Sequence, residues 1–314
     1  MHRFDQVVQA APSRDGDAAY CPCAARIPAV QFPAWAAVGA PTIYCGTPAN
    51  PMSGTLLSST TVSHLPILHL LYEPVMKQSL GRGNTEKGVN QTVLDILRST
   101  NDLSQPLVIL DIPCGEGGFA CYLKEHFPNL RVIGVDRYVE PKTGNIEFHK
   151  LAAQEFFAQQ SSLRTDVITC ISGVVCFDGL ETLFASFHRS LRDGGLLILT
   201  NDNVMTVRDR LTFLFFGHVR RFRLLYTQHE GNWNLVLPQA LWMWLQRSGF
   251  RGIRVQYTSI HAKDYLFLPV ALVMYAFFLP YLLLKRHPMT IGERLRLFPF
   301  ATFLSRHYVF VARK

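Results

Sequence analysis

The chain has 314 residues, 48 % apolar and 17 % charged, with a net charge of +8. That length and apolar share support a sizeable core, as one large domain with appendages or two small ones. Seven cysteines, an odd number with four in core-like segments, exclude a disulfide framework and favour a reducing cytosol.

Residues 1–60 are rich in Ala, Pro, Ser and Thr, and no Asp, Glu, Lys or Arg occurs from Ile27 to Tyr72. Prolines interrupt any helix there, and no basic region leads into an apolar one, so we expect a weakly structured arm without a signal peptide. Cys21, Cys23 and Cys45 lack the second pair a zinc ribbon needs, and no metal site is expected. Leu65–Leu80 is apolar enough to pack as a helix, and Gly81–Asn84 marks a loop.

Apolar residues at 89, 93, 94 and 97 have helical spacing. Short apolar runs then alternate with helical patterns. Strands are expected at Leu107–Asp111, Arg131–Asp136, Ile146–His149, Asp166–Ile171, Leu196–Thr200, Gly252–Thr258 and His307–Ala312. Helices are expected at Phe119–Phe127, at Leu180–Leu191 (stopped by Asp193-Gly194-Gly195), and at Pro238–Ser248. Repeated strand–helix units imply an α/β fold, a mostly parallel sheet with helices on both faces.

An open parallel sheet binds ligands beyond the carboxyl ends of its strands. The first strand ends at Asp111, and Ile112-Pro113-Cys114-Gly115-Glu116-Gly117-Gly118 turns into a helix. Glycines let a backbone approach a ligand closely, and helix-start N–H groups meet carboxylates or phosphates. Asp136 ends the second strand, where a carboxylate can accept from ribose hydroxyls. Pro113 stands at the first glycine position of a dinucleotide fingerprint, so that pattern is absent.

Val108–Gly118 resembles motif I of the class I S-adenosylmethionine-dependent methyltransferases, Val132–Asp136 resembles their motif II, and Leu191–Leu199 resembles the stretch leading into strand five. The three occur in order and in register, and the resemblance covers roughly 85–260 plus the last strand. It implies a Rossmann-like sheet of seven strands with an antiparallel last strand, and S-adenosyl-L-methionine as cofactor. It also implies that Asp111 orients the methionine amino group, that Gly115 and Gly117 pass the methionine moiety, that Asp136 holds the ribose, and that Pro113, Cys114 and Arg137 are further cofactor-binding positions. Gln154 stands where the family often has an acidic residue near the adenine. Ser172–Phe177 replaces the Glu-His pair that many relatives carry after strand four, and Cys176 reads as core.

Methyl transfer is an in-line displacement, which chiefly needs alignment; a hydroxyl acceptor also benefits from a base. Thr200-Asn201-Asp202-Asn203 ends strand five, either as a catalytic cluster around Asp202 or as a capping turn before a helix over Val204–Leu214. His218, His229 and Glu230 are further candidate bases, with Asp202 and His229 the leading pair. Arg208–Trp233 interleaves arginines with aromatics, which suits a phosphate or carboxylate, or a solvated basic helix face.

Leu266–Leu284 carries no formal charge over 19 residues, flanked by Lys285-Arg286-His287. A single crossing would part the last two strands, so this apolar insert must re-enter, lie in the interface or cover the protein. A second apolar piece, Leu295–Leu304, follows. The organisation expected is an arm over 1–60 and a methyltransferase domain over 61–314. Within that domain lie an acceptor-region insert at 204–236 and an apolar membrane-associating or lid insert at 260–306. The leading function is methyl transfer to a hydrophobic or lipid-linked small molecule, by a cytoplasmic enzyme held peripherally or monotopically at the inner face of the membrane. A soluble small-molecule or glycan O-methyltransferase with a buried lid, or an inactive binding protein of the same fold, are the alternatives; nucleic acid is not an expected partner.

Overall fold

The computed structural model describes residues 80, 85–141, 145–220, 222 and 234–314. The arm over 1–60, the expected helix before Leu80 and the Gly81–Asn84 loop lie outside them, as do His229, Glu230 and much of the arginine–aromatic run.

Seven strands form one sheet: β1 (Val108–Asp111), β2 (Arg131–Val135), β3 (Glu147–His149), β4 (Thr165–Cys170), β5 (Leu191–Asp202), β6 (Arg251–Thr258) and β7 (His307–Arg313). Their order is β3-β2-β1-β4-β5-β7-β6. The first five pair in parallel, and β7 runs antiparallel between β5 and β6. Successive side chains on a strand point to opposite faces, which splits the core in two. Leu110, Leu197, Leu199, Tyr308 and Phe310 face one layer, whereas Ile109, Leu196, Ile198, Val309 and Val311 face the other.

The first layer is closed by α3 (Ala153–Gln159), α4 (Leu180–Ser190) and α6 (Pro238–Arg247), through Phe156, Phe187 and Leu241 among others. The second is closed by α1 (Val89–Thr100) and α2 (Gly118–His126). In α1 the expected Val89, Val93, Leu94 and Leu97 are the buried stripe.

Three details depart from expectation. Helix α3 carries no strong periodic signal over its seven residues and was not foreseen. Strand β5 does not begin after the glycines. It starts at Leu191 and carries Asp193-Gly194-Gly195 within it, with a register shift between Thr165 and Val167 of its partner. Gly194, at φ 76°, supplies the left-handed residue that such an irregularity needs. The Thr200–Asn203 tetrad is not a helix cap: α5 (Val207–Phe216) is capped by Thr206, whose Oγ1 accepts from the Asp209 N–H at 3.1 Å. The tetrad is buried. Asn203 Nδ2 donates to the Thr302 and Ser305 carbonyls, and Asn201 Nδ2 to Tyr308 Oη, stitching β5 to the chain that returns as β7.

Between β6 and β7 lies the apolar insert: a 3₁₀ turn at Ala262–Phe267, α7 (Leu268–Leu284), α8 (Ile291–Leu297) and a 3₁₀ turn at Phe300–Phe303. Its root is held by the buried pair Arg306–Asp264, with donor distances of 2.6 and 2.7 Å. Because β7 is antiparallel to β5, residue 202 pairs with 307 and residue 258 also pairs with 307. The insert therefore leaves and re-enters the sheet at the carboxyl end of the parallel strands.

Candidate active site

At that same end, the bend between β1 and α2 is shaped by two left-handed glycines, Gly115 at φ 55° and Gly117 at φ 75°. Gly117 is the N-cap of α2 and offers no capping side chain, so the first turn presents its N–H groups outward. A Cβ on Gly117 would lie 3.0 Å from Pro141 Cβ and 3.4 Å from Cys121 Sγ. Strain and contact together predict that Gly117→Ala costs about 1–2 kcal/mol of stability, read as a lowered melting temperature.

Asp136 follows β2 and grips this bend. Its Oδ2 accepts the Gly115 N–H at 2.9 Å, and its Oδ1 accepts those of Tyr138 and Val139 at 2.8 and 2.9 Å. A carboxylate has about four acceptor positions. Three are filled from within, which leaves about one for a ribose hydroxyl rather than the two that the sequence suggested. Arg137 is exposed and lies over the Tyr138 ring at 5.5 Å.

Asp111 is 1 % exposed and accepts from Thr169 Oγ1 at 2.7 Å. Burial pushes its carboxyl up to about 7, with the neighbouring Asp136 charge adding to the rise and the Thr169 hydroxyl opposing it. Among the described residues no cationic side chain pairs with Asp111 or Asp136. Two carboxylates beside a glycine bend and a bare helix start suit a ligand with its own positive charge and a carboxylate to place. S-adenosylmethionine, with sulfonium, ammonium and carboxylate, fits that set.

A pH dependence follows. Between about pH 4 and 7 folded Asp111 holds a proton that the unfolded chain lacks, so stability falls as pH rises through that window. Binding an ammonium group favours the ionised form. Affinity for S-adenosylhomocysteine therefore rises up to about pH 7 and levels above it, with proton release detectable by calorimetry in buffers of different ionisation heat. Asp111→Asn flattens the dependence.

Cys114 packs its sulfur on β2, where a Cβ on Gly134 would come within 3.0 Å. Burial raises its thiol well above the usual range, and Asp111 and Asp136 add to that. It is a packed thiol, not a nucleophile. Pro113 faces Gly173 beyond β4, where a Cβ would lie 2.0 Å from Pro113 Cδ. Gln154 is exposed at the start of α3 and donates to the Asp178 carbonyl at 3.0 Å.

Asp202 is buried at the end of β5 and faces His307, with Oδ1 3.5 Å from Nδ1. The structure thus places it behind the site surface. His218 sits just past α5, its Nδ1 3.3 Å from the Val219 carbonyl. Two of the arginines expected to hold an anion are engaged internally: Arg210 lies 4.7 Å over the Phe303 ring, and Arg220 pairs with Glu86 at 3.1 Å. The last turn of α5 is exposed and apolar instead, with Phe213, Leu214, Phe215 and Phe216 all more than half exposed.

Sequence reasoning missed Thr169, Ser172 and His307. The first two sit at or just past the end of β4, where an alternating apolar run hides their roles. His307 required knowing that β7 starts opposite Asp202.

Residues 87–255, more than half the chain, match the family model described as a methyltransferase domain. No curated protein matches the sequence. Among solved structures, a SAM-dependent methyltransferase from Archaeoglobus fulgidus is similar at 17 % identity and TM-score 0.44, covering 72 % of this chain and 94 % of that one. One from Mesorhizobium loti is similar at 16 % identity and TM-score 0.42, covering 70 % of this chain and 96 % of that one. Phosphoethanolamine N-methyltransferase 2 of Haemonchus contortus, in complex with S-adenosyl-L-methionine, is similar at 18 % identity and TM-score 0.42. The match covers 74 % of this chain and 55 % of that one.

Proposed function

Since the chain belongs to the methyltransferase domain family, we propose that it methylates a hydrophobic or lipid-linked small molecule at a membrane surface. The enzyme is a class I methyltransferase and its cofactor is S-adenosyl-L-methionine, which when bound supplies an electrophilic methyl group. Asp111, the Gly115–Gly117 bend and Asp136 would hold it.

One observation carries the acceptor class: the bare apolar surface rises from the same end of the sheet as the cofactor bend. The segment Ala262–Leu284 is long and apolar enough to cross a membrane, yet only 11 % of its most apolar window is buried. Leu266, Phe277 and Leu284 are 81, 79 and 81 % exposed. The same insert packs on the base of α5 through Val207, Leu211, Ala271, Tyr275, Phe278 and Phe303. The exposed aromatics of α5 and the exposed face of α7 thus belong to one substructure. A buried lid would hide these side chains; an interfacial hairpin needs them outside.

Lys285, Arg286 and His287 follow α7 and are exposed, suited to anionic headgroups. Arg294 donates to the carbonyls of Leu282 and Lys285, which closes the end of α7 and turns the chain back toward the sheet. Both flanking strands lie in one sheet, so the insert attaches from one side. An acceptor dissolved in the bilayer would reach the site without crossing water. The face is the cytoplasmic one, in keeping with an odd number of cysteines that reads as no disulfide framework.

Fractionation of the producing cells tests this. The expected result is recovery of the full chain with membranes, resistant to high salt and released by detergent. Recovery in the soluble fraction at every salt concentration contradicts the reading.

A further inference from the structure

The carboxyl ends of β4, β5 and the start of β7 hold a polar chain separate from the Asp111–Thr169 and Asp136 contacts. His307 is buried opposite Asp202, with Nδ1 3.5 Å from the carboxylate. The other ring nitrogen, Nε2, is 3.1 Å from Ser172 Oγ and 3.3 Å from Thr200 Oγ1. The Ser172 N–H donates to Thr200 Oγ1 at 2.9 Å, and its hydroxyl is 2.7 Å from Thr85 Oγ1.

Ser172 is held with unusual force. Its φ of 54° lies in the left-handed region, which is unfavourable for a residue with a Cβ. Such strain persists where surroundings over-determine it. The next residue, Gly173, is packed against Pro113 of the cofactor bend. Ser172 is therefore one residue from that bend and partly open to solvent, with its hydroxyl against a buried imidazole.

A carboxylate beside Nδ1 favours the tautomer that carries its proton there. With the proton there, Nε2 can accept from the Ser172 hydroxyl. We propose that Ser172, backed by His307 and Asp202, relays the proton that a hydroxyl acceptor loses as it is methylated. The acceptor's oxygen–carbon bond forms as the methyl leaves sulfur, and the electron pair of the broken bond stays on sulfur. The acceptor's proton passes to Ser172 Oγ while the Ser172 proton passes to His307 Nε2. The resulting imidazolium faces the Asp202 carboxylate and later returns its proton to water by the same route. No further reactant is needed.

Ser172 is the catalytic residue here; His307 and Asp202 are positioning residues that act through it. Around the ring, Asp202 and Thr200 stand on β5, Ser172 follows β4, and Thr258 pairs across on β6. The neighbouring Arg306 is committed to Asp264. The inference rests on the methyl-transfer reading and narrows the acceptor to a neutral hydroxyl compound.

Two readouts test it. Nitrogen-15 spectra of the full chain, without ligand, are expected to show His307 protonated on Nδ1, with the Nε2 resonance moved by Ser172→Ala; a proton on Nε2 overturns the relay. The second readout is transfer from a tritiated methyl donor to a total lipid extract. In Ser172→Ala and in His307→Gln, turnover is expected to fall about 10²–10⁴-fold, with S-adenosylhomocysteine affinity within about twofold. The variants' rates should climb with pH where wild type is flat. Unchanged pH profiles, or affinity lost in step with rate, overturn it. If only a water-soluble extract takes label, the lipid-phase reading fails and the same profiles are read on that extract.

Discussion

Asp136→Ala abolishes cofactor binding while leaving the rest of the sheet folded. In wild type the carboxylate accepts three backbone N–H groups, from Gly115, Tyr138 and Val139. Hydrogen bonds to a charged group contribute about 1.5–3 kcal/mol each. Removing their acceptor frees both the bend and the turn after β2, besides deleting the contact proposed for the ribose. Cofactor affinity is expected to fall by more than about a hundredfold, since one such interaction already accounts for about tenfold. Calorimetry with S-adenosylhomocysteine measures it. Asp136→Asn separates the two roles, because its amide oxygen still accepts while its nitrogen cannot. A smaller loss in Asn than in Ala is expected; equal affinity in wild type and both variants contradicts the assignment.

If the proposed attachment holds, replacing Leu266, Phe277 and Leu284 together with Asp is expected to release the protein from membranes. Each side chain is about four-fifths exposed in the isolated chain, so none is needed for the core, and the change adds solvation rather than cavities. Burying a large apolar side chain contributes about 1.5–3 kcal/mol. Three lost anchors therefore weaken partitioning by more than about a hundredfold. Sedimentation with vesicles containing anionic phospholipid reads this directly. Wild type is expected in the pellet and the triple variant in the supernatant, with unchanged affinity for S-adenosylhomocysteine. A triple variant that still pellets places the attachment elsewhere.

Much of the framework was legible because each strand is short, apolar and followed by its own punctuation. Val108–Gly118 reads as strand, bend and helix from the residue types alone, and the structure has that order. Helix α3 was not legible, since seven residues behind Leu151-Ala152 give too few turns for a period to emerge. The start of β5 was misread because Asp193-Gly194-Gly195 has the composition of a turn. Leu191 and Leu196 both pair with β4, and Gly194 and Gly195 bond to the Lys314 backbone, which carries the strand through it.

At the site, residues fixed by local geometry were readable and residues fixed by pairing were not. Gly115 and Gly117 stand where the chain must bend from strand to helix, and both take left-handed φ values. Asp202 was singled out for standing at a strand end, but its partner is 105 positions away, and only the antiparallel register of β5 with β7 brings His307 to it. Two arginines of the 208–233 run show the opposite failure. Their charge suggested an anion site, whereas Arg210 is spent on Phe303 and Arg220 on Glu86. What the α5 region exposes is Phe213–Phe216, which composition alone could not distinguish from core.

Incubation of the purified full chain with a tritiated methyl donor and membranes from the producing cells, followed by organic extraction, tests the central claim most directly. The account predicts that label enters an organic-soluble product, in an amount that falls with Asp136→Ala and with the triple α7 variant. Label confined to the aqueous phase, at equal yield with and without membranes, would contradict it.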